Sequence, residues 1–226
     1  MNDKKVILQS ILAQGILPLF YWESPSVCLE VIRTLYRAGV RAVEYTNRGA
    51  AALDNFTMLK KTLTKESPDL YLGIGTIKSR TEAEAFIAAG ADFIVAPIIN
   101  PEVGEIAAKA GLLWIPGCMT PSEIYKAQEH KAAVIKIFPA NILGPEFVSS
   151  IKELFQGQLF IPTGGVEIEE NNIRSWIKAG VCAVGLGSRL ISKEILLNEN
   201  YELLYEKTMV ALTIARSVRN ETKSHS

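Results

Sequence analysis

Ser79-Arg-Thr-Glu-Ala-Glu-Ala-Phe-Ile-Ala-Ala-Gly-Ala-Asp-Phe-Ile-Val-Ala-Pro-Ile98 reads as one helix followed by one strand. Ser79 ahead of Glu82 is a helix-start signal, because the two side chains at this spacing satisfy each other's orphan amides. Ala89-Gly90 stops the helix, since glycine takes the left-handed terminating conformation at little steric cost. The run from Phe93 to Ile98 is short, apolar and without polar alternation, the pattern of a parallel strand covered on both faces. The unit repeats along the chain. Ala38-Gly39, Ala110-Gly111 and Ala179-Gly180 close helices in the same way, while Asn100-Pro101 and Thr120-Pro121 open them.

Working outward, strands are expected at residues 16–22, 42–47, 71–77, 93–98, 112–119, 134–140, 158–166 and 183–190. Helices are expected between them, at 24–38, 50–65, 79–89, 101–110, 121–129, 144–155 and 169–178, with a last one over about 199–217. Eight such strands separated by helices make an α/β fold, a single closed (β/α)8 TIM barrel over residues 1–218. The competing open, doubly wound sheet lacks its glycine-rich fingerprint after the first strand. Residues 219–226, Arg-Asn-Glu-Thr-Lys-Ser-His-Ser, read as a polar, disordered C-terminal tail.

Composition narrows the functions open to such a barrel. The 226 residues are 48% apolar and 21% charged, which excludes a disordered chain. Lys plus Arg and Asp plus Glu both number 24, with no basic block, so no nucleic acid partner is expected. No run of about 18 apolar residues occurs, so no membrane partner is expected either. Met1-Asn-Asp-Lys-Lys5 leads into a short amphipathic stretch with no cleavable signal pattern. Cys28, Cys118 and Cys182 form no CxxC pair, which fits a reducing, cytoplasmic location. His130 and His225 are the only histidines, too few for a multi-histidine site, so no metal is expected.

In this fold the reacting groups sit at the C-terminal ends of strands. Val134-Ile-Lys-Ile-Phe-Pro-Ala140 carries Lys136 inside an apolar run, with Val134, Lys136 and Phe138 on one face. A buried ammonium has a lowered pKa, which is what attack on a carbonyl requires. A lysine paired with a carboxylate, or snorkelling to the rim, fits the same pattern. Ala42-Val-Glu-Tyr-Thr-Asn-Arg48 offers the partner, with Glu44 on a face with Ala42 and Thr46. Arg48 follows at the strand end, where a guanidinium grips a carboxylate in two-pronged fashion or simply stays solvated. Thr76 ends Gly73-Ile-Gly-Thr76, as a ligand contact or as a cap for the next helix. Pro162-Thr-Gly-Gly165 and Gly185-Leu-Gly-Ser-Arg189 are small-residue turns after the last two strands, where backbone amides commonly hold phosphate. Tyr21-Trp22 lines the mouth or packs beneath it, and Cys118, Trp114 and Trp176 read as packing residues.

With these residues in place, the chain resembles the 2-keto-3-deoxy-6-phosphogluconate (KDPG) aldolase family, whose class I members also act on 4-hydroxy-2-oxoglutarate. The resemblance rests on Val40-Arg-Ala-Val-Glu-Tyr-Thr-Asn-Arg48, Gly73-Ile-Gly-Thr76, Ile115-Pro-Gly117 with Thr120 and Ser122-Glu123, Ile135-Lys-Ile-Phe-Pro-Ala140, Pro162-Thr-Gly-Gly165 and Gly187-Ser188, in order along the chain. It implies Lys136 as the Schiff-base lysine and Glu44 as the general acid/base. It further implies Arg48 and Thr76 on the pyruvate carboxylate, Pro97 and Thr163 near the substrate, and Gly164, Gly165, Gly187 and Ser188 on a phosphate. The implied substrate is a small, phosphorylated 2-keto acid of Entner–Doudoroff carbohydrate metabolism. No cofactor is implied, and the implied assembly is a homotrimer. Asn141 in Phe138-Pro-Ala-Asn141, the bulky Phe20-Tyr-Trp22, and Asn47 and Gly49 around Arg48 depart from the family pattern.

Overall fold

A computed structural model describes residues 3–224, with side chains through Glu221. The chain opens with α1 (Lys4–Gln14), started by Asp3, whose side chain accepts from the Lys5 amide, and ended by Gly15. There follow β1 (Ile16–Phe20), α2 (Pro25–Arg37), β2 (Ala42–Thr46), α3 (Ala52–Glu66), β3 (Tyr71–Gly75), α4 (Arg80–Ala88), β4 (Phe93–Val95), α5 (Pro101–Lys109), β5 (Leu113–Ile115) and β6 (Gly117–Cys118). The second half contains α6 (Pro121–Glu129), β7 (Val134–Ile137), α7 (Ala140–Ile151), β8 (Leu159–Pro162), α8 (Glu170–Ala179), β9 (Val184–Leu186), α9 (Lys193–Leu197) and α10 (Tyr201–Ser224). The sequence signals at the helix starts are physically present: Ser79–Glu82 and Thr120–Glu123 both form complete capping boxes.

All strand pairs are parallel, in the order β5-β4-β3-β2-β1-β9 and β6-β7-β8. The two sheets join at both ends. Thr163 bridges to Gly185 beside β8 and β9. Across the other seam the Lys136 amide donates to the Pro116 carbonyl at 2.8 Å, linking β7 to the turn between β5 and β6. The ring is thereby closed, as a (β/α)8 barrel requires.

Side-chain alternation separates two apolar regions. Leu17, Ala42, Phe93, Leu113, Val134 and Ile161 point inward and pack with Ile7 and Ile11 of α1, which stoppers the N-terminal end of the barrel. Val43, Tyr45, Leu72, Ile94, Ile135 and Phe160 point outward into the layer beneath the helices. Among the described residues no helix is long and apolar enough to cross a membrane.

Three differences from the sequence reading have physical reasons. The expected fifth strand divides at Pro116, which has no amide to give the ladder, into β5 and β6. The helix expected from 144 starts at Ala140 and is interrupted at Gly144, whose φ of 74° and ψ of 167° leave helical space before Pro145 restarts the turn. The polar tail expected from 219 is instead helical as far as Ser224. Arg219 donates to the carbonyls of Leu12 and Cys182, and Glu221 pairs with Arg174, so polar residues here tie the helix down. His225 lies outside the described residues. Upstream of that anchor, Leu204, Thr208, Ala211, Leu212, Ala215 and Val218 are buried as α10 packs across α2 and α8.

Candidate active site

Glu44 and Lys136 meet inside the barrel. Each is the third residue of its strand, Glu44 in register with Leu19 and Gly73, Lys136 with Gly117 and Ile161. Lys136 Nζ lies 3.9 Å from Glu44 Oε1, and both side chains are 5% exposed or less. The separation gives attraction without a hydrogen bond. Glu44 Oε1 has no hydrogen-bond partner among the described residues. A buried acceptor left this way costs about 1–3 kcal/mol, so the fold holds the carboxyl ready for something other than its own stability. Lys136 Nζ also sits 5.1 Å from the centre of the Phe138 ring.

Burial dominates the electrostatics of both groups. It pushes the Lys136 ammonium below its ordinary range; Glu44 opposes the shift and Arg48 adds to it. Burial likewise pushes the Glu44 carboxyl above its ordinary range, against Lys136 and then Arg48. Each group is driven toward its neutral form, a free amine beside a carboxylic acid. That combination can add to a ketone and move a proton.

A cavity of 120 Å³ opens at the ends of β8 and β9, and Arg48, Thr163, Gly164, Gly165, Gly187 and Ser188 all line it. Arg48, on the loop after β2, is exposed and acts electrostatically on both Glu44 and Lys136. Gly164 and Gly165 adopt φ of 97° and 76°, a left-handed pair that L side chains resist. The turn brings the Thr163 and Gly164 carbonyls onto the Ala140 and Asn141 amides, at 2.8 and 2.9 Å. On the other wall, the amides of Leu190 and Ile191 both donate to the Gly187 carbonyl, forming a helical turn that starts at Ser188. Thr163 is buried because Gly185 opposite has no side chain; a β-carbon there would overlap its Oγ1.

Thr76 and Pro97 do not line this cavity. They follow β3 and β4, on the arc of the sheet beyond β2, and both are half-buried. Thr76 has φ of 63°, and the cap of α4 is Ser79, so the helix-cap reading of Thr76 does not hold. Gly117 packs directly on the Ala96 and Pro97 carbonyls. Tyr21 and Trp22 pack against the layer beneath the helices, and the Trp22 carbonyl accepts from Tyr45 Oη and Asn55 Nδ2. Four cavity residues escaped the sequence reading of the site: Leu19, Val166, Phe138, which shares the Lys136 face, and Arg189, which ends the second glycine turn. Among the described residues no three His, Cys, Asp or Glu side chains gather as a metal-ligand set.

The family model described as KDPG and KHG aldolase matches residues 7–206. The 2-dehydro-3-deoxy-phosphogluconate aldolase of Treponema pallidum is 30% identical over 172 residues, 76% of this chain and 79% of its own. The 2-dehydro-3-deoxy-6-phosphogalactonate aldolase of Escherichia coli is 35% identical over 120 residues, 53% of this chain and 58% of its own. Among solved structures, KDPG aldolase from Legionella pneumophila, with pyruvate captured as a covalent carbinolamine, superposes with a TM-score of 0.82 at 26% identity. That match covers 89% of this chain and 96% of the other. With its barrel, its buried lysine and carboxyl, and a match running nearly end to end, the chain belongs to the KDPG and KHG aldolase family.

Proposed function

We propose that this protein is a class I aldolase that cleaves 2-dehydro-3-deoxy-6-phosphogluconate to pyruvate and glyceraldehyde 3-phosphate. The observation that carries the reading is the Lys136 amine 3.9 Å from an unpartnered Glu44 oxygen, both buried. The neutral amine adds to the C2 ketone, and loss of water gives an iminium, the electron sink for bond cleavage. Glu44 gives its proton to the hydroxyl that departs as water and, now a carboxylate, takes the proton of the C4 hydroxyl. The C3–C4 bond breaks, its electron pair moves into the iminium, and the aldehyde leaves. Glu44 then returns the proton to C3 of the enamine, and water hydrolyses the imine to release pyruvate. Arg48 and Thr76 hold the pyruvate carboxylate, and Pro97 and Thr163 flank the substrate. Gly164, Gly165, Gly187 and Ser188 receive the phosphate, and no cofactor takes part.

The same chemistry on the galactonate epimer is the second reading, favoured by the likeness to the Escherichia coli galactonate enzyme. A homotrimer working in the cytoplasm, in Entner–Doudoroff metabolism, completes the proposal. The test is intact-mass measurement after borohydride reduction with pyruvate, followed by assay on both phosphorylated epimers. Wild type is expected to gain one reduced pyruvyl group that Lys136→Ala does not. An unmodified wild-type mass would overturn the aldolase reading, and the epimer cleaved with the higher kcat/KM decides between the two substrates.

A further inference from the structure

We propose that Arg189 is a cationic contact for the distal anion of the substrate. We further propose that Glu167 aims it there, and that the pair sets the preference for phosphorylated substrates. The inference rests on the aldolase reading above and adds a specificity device to it. Arg189 is one of the residues that line the cavity at the ends of β8 and β9, and no acidic residue lines it among the described residues. A phosphate monoester carries about −1.5 to −2 charges near neutrality, and the glycine and serine contacts assigned to it bring no full positive charge. An unphosphorylated keto-deoxy acid brings no charge to that end.

The placement of Arg189 is supported from both sides. Its carbonyl accepts from Lys207 Nζ of α10 at 3.3 Å, which anchors the turn it ends. Its Nε lies 2.9 Å from Glu167 Oε1. With Nε engaged, the two terminal nitrogens remain to grip phosphate oxygens in the two-pronged manner of guanidinium groups. Glu167 is itself fixed, since its amide donates to Asn172 Oδ1 of α8 at 3.0 Å, and it stands outside the cavity lining. The Arg189 side chain is 59% exposed, and an ion pair so exposed contributes little to stability. Its effect is to hold a flexible arginine in one direction, which lowers the ordering cost when the anion binds.

The test is the ratio of kcat/KM for 2-keto-3-deoxy-6-phosphogluconate over unphosphorylated 2-keto-3-deoxygluconate in wild type, Arg189→Ala, Arg189→Lys and Glu167→Gln. Arg189→Ala is expected to lower the ratio roughly 10- to 100-fold, the span of one charge-assisted contact, through KM rather than kcat. Arg189→Lys should recover part of the loss, and Glu167→Gln should lower the ratio about threefold to tenfold, as loss of aim without loss of charge. Inhibition by inorganic phosphate should weaken in parallel. An unchanged ratio in Arg189→Ala, or an equal fall for both substrates, overturns the proposal while leaving the aldolase reading intact. Loss of borohydride trapping of pyruvate in wild type would instead remove the reading on which it rests.

Discussion

Gly75 and Glu44 share one space: a β-carbon placed on Gly75 would overlap Glu44 Oε1. The register pairs Glu44 with Gly73 and Thr46 with Gly75, so the glutamate leans forward over the next rung of the ladder. Glycine weakens a strand interior, and here the missing side chain is the room in which the buried carboxyl stands.

Gly75→Ala is therefore expected to turn Glu44 aside without unfolding the barrel. Overpacking should lower stability by about 1–3 kcal/mol, read from the urea midpoint. Turnover should fall on the order of a hundredfold, as for a catalytic group displaced by about an ångström. Pyruvate trapping should survive, and retention of full turnover would show that Glu44 is free to act from elsewhere.

Lys136→Met is expected to fold and to lose both cleavage and trapping. It removes the proposed nucleophile together with a buried ionisable group, so the unfolding midpoint should hold or rise. Cleavage near the wild-type rate would place the nucleophile on another residue.

Glu44→Gln should still form the pyruvate imine but lose roughly 10² to 10⁴ in turnover, the contribution of one general acid/base. If trapping and turnover fell together, Glu44 would be organising the site and not moving protons.

Burial gives the Glu44–Lys136 pair a definite stability signature in pH. The folded pKa of Glu44 is raised, so its contribution is full below the unfolded carboxylate pKa and is lost as pH rises through the folded value. The folded pKa of Lys136 is lowered, so its contribution is full above the unfolded amine pKa and is lost as pH falls through the folded value. Near neutrality both groups bear desolvation cost. The double variant Glu44→Gln/Lys136→Met should be more stable there by about 1–4 kcal/mol, with a flatter stability–pH curve from chemical denaturation. A double variant less stable than wild type at pH 7 would show that the pair's attraction outweighs its burial.

Ser188→Asp sets a carboxylate at the start of the turn facing the cavity. Like charges at close range repel strongly when partly desolvated, so kcat/KM for the phosphorylated substrate should drop steeply. Trapping of pyruvate, which carries no phosphate, should stay near normal. Equal loss of both would mean that the cavity does not receive the phosphate.

The barrel was legible because each unit carries its own start and stop, as Ser79 with Glu82 and Ala89 with Gly90 show. Lys136 and Glu44 were legible as charges inside apolar runs, and the glycine turns marked the cavity. What local signals missed depends on neighbours distant in sequence. Pro116 divides a strand only because the ladder asks for an amide at that point. The space at Gly75 has meaning only beside Glu44, and Arg189 acquires a direction only from Glu167. The last turns of α10 looked like a tail because their polar side chains serve as ties to Leu12, Cys182 and Arg174.

The position of α10 also bears on how this protein is made. On the ribosome α2 emerges long before α10, the helix that packs across it. Until α10 emerges, an apolar face of α2 has no cover, the kind of surface that draws chaperones and invites aggregation. Arg219 completes the arrangement by joining the end of α1 to the segment before β9. Nascent chains stalled before residue 200 should therefore stay protease-sensitive and chaperone-bound, with protection arriving once α10 has emerged.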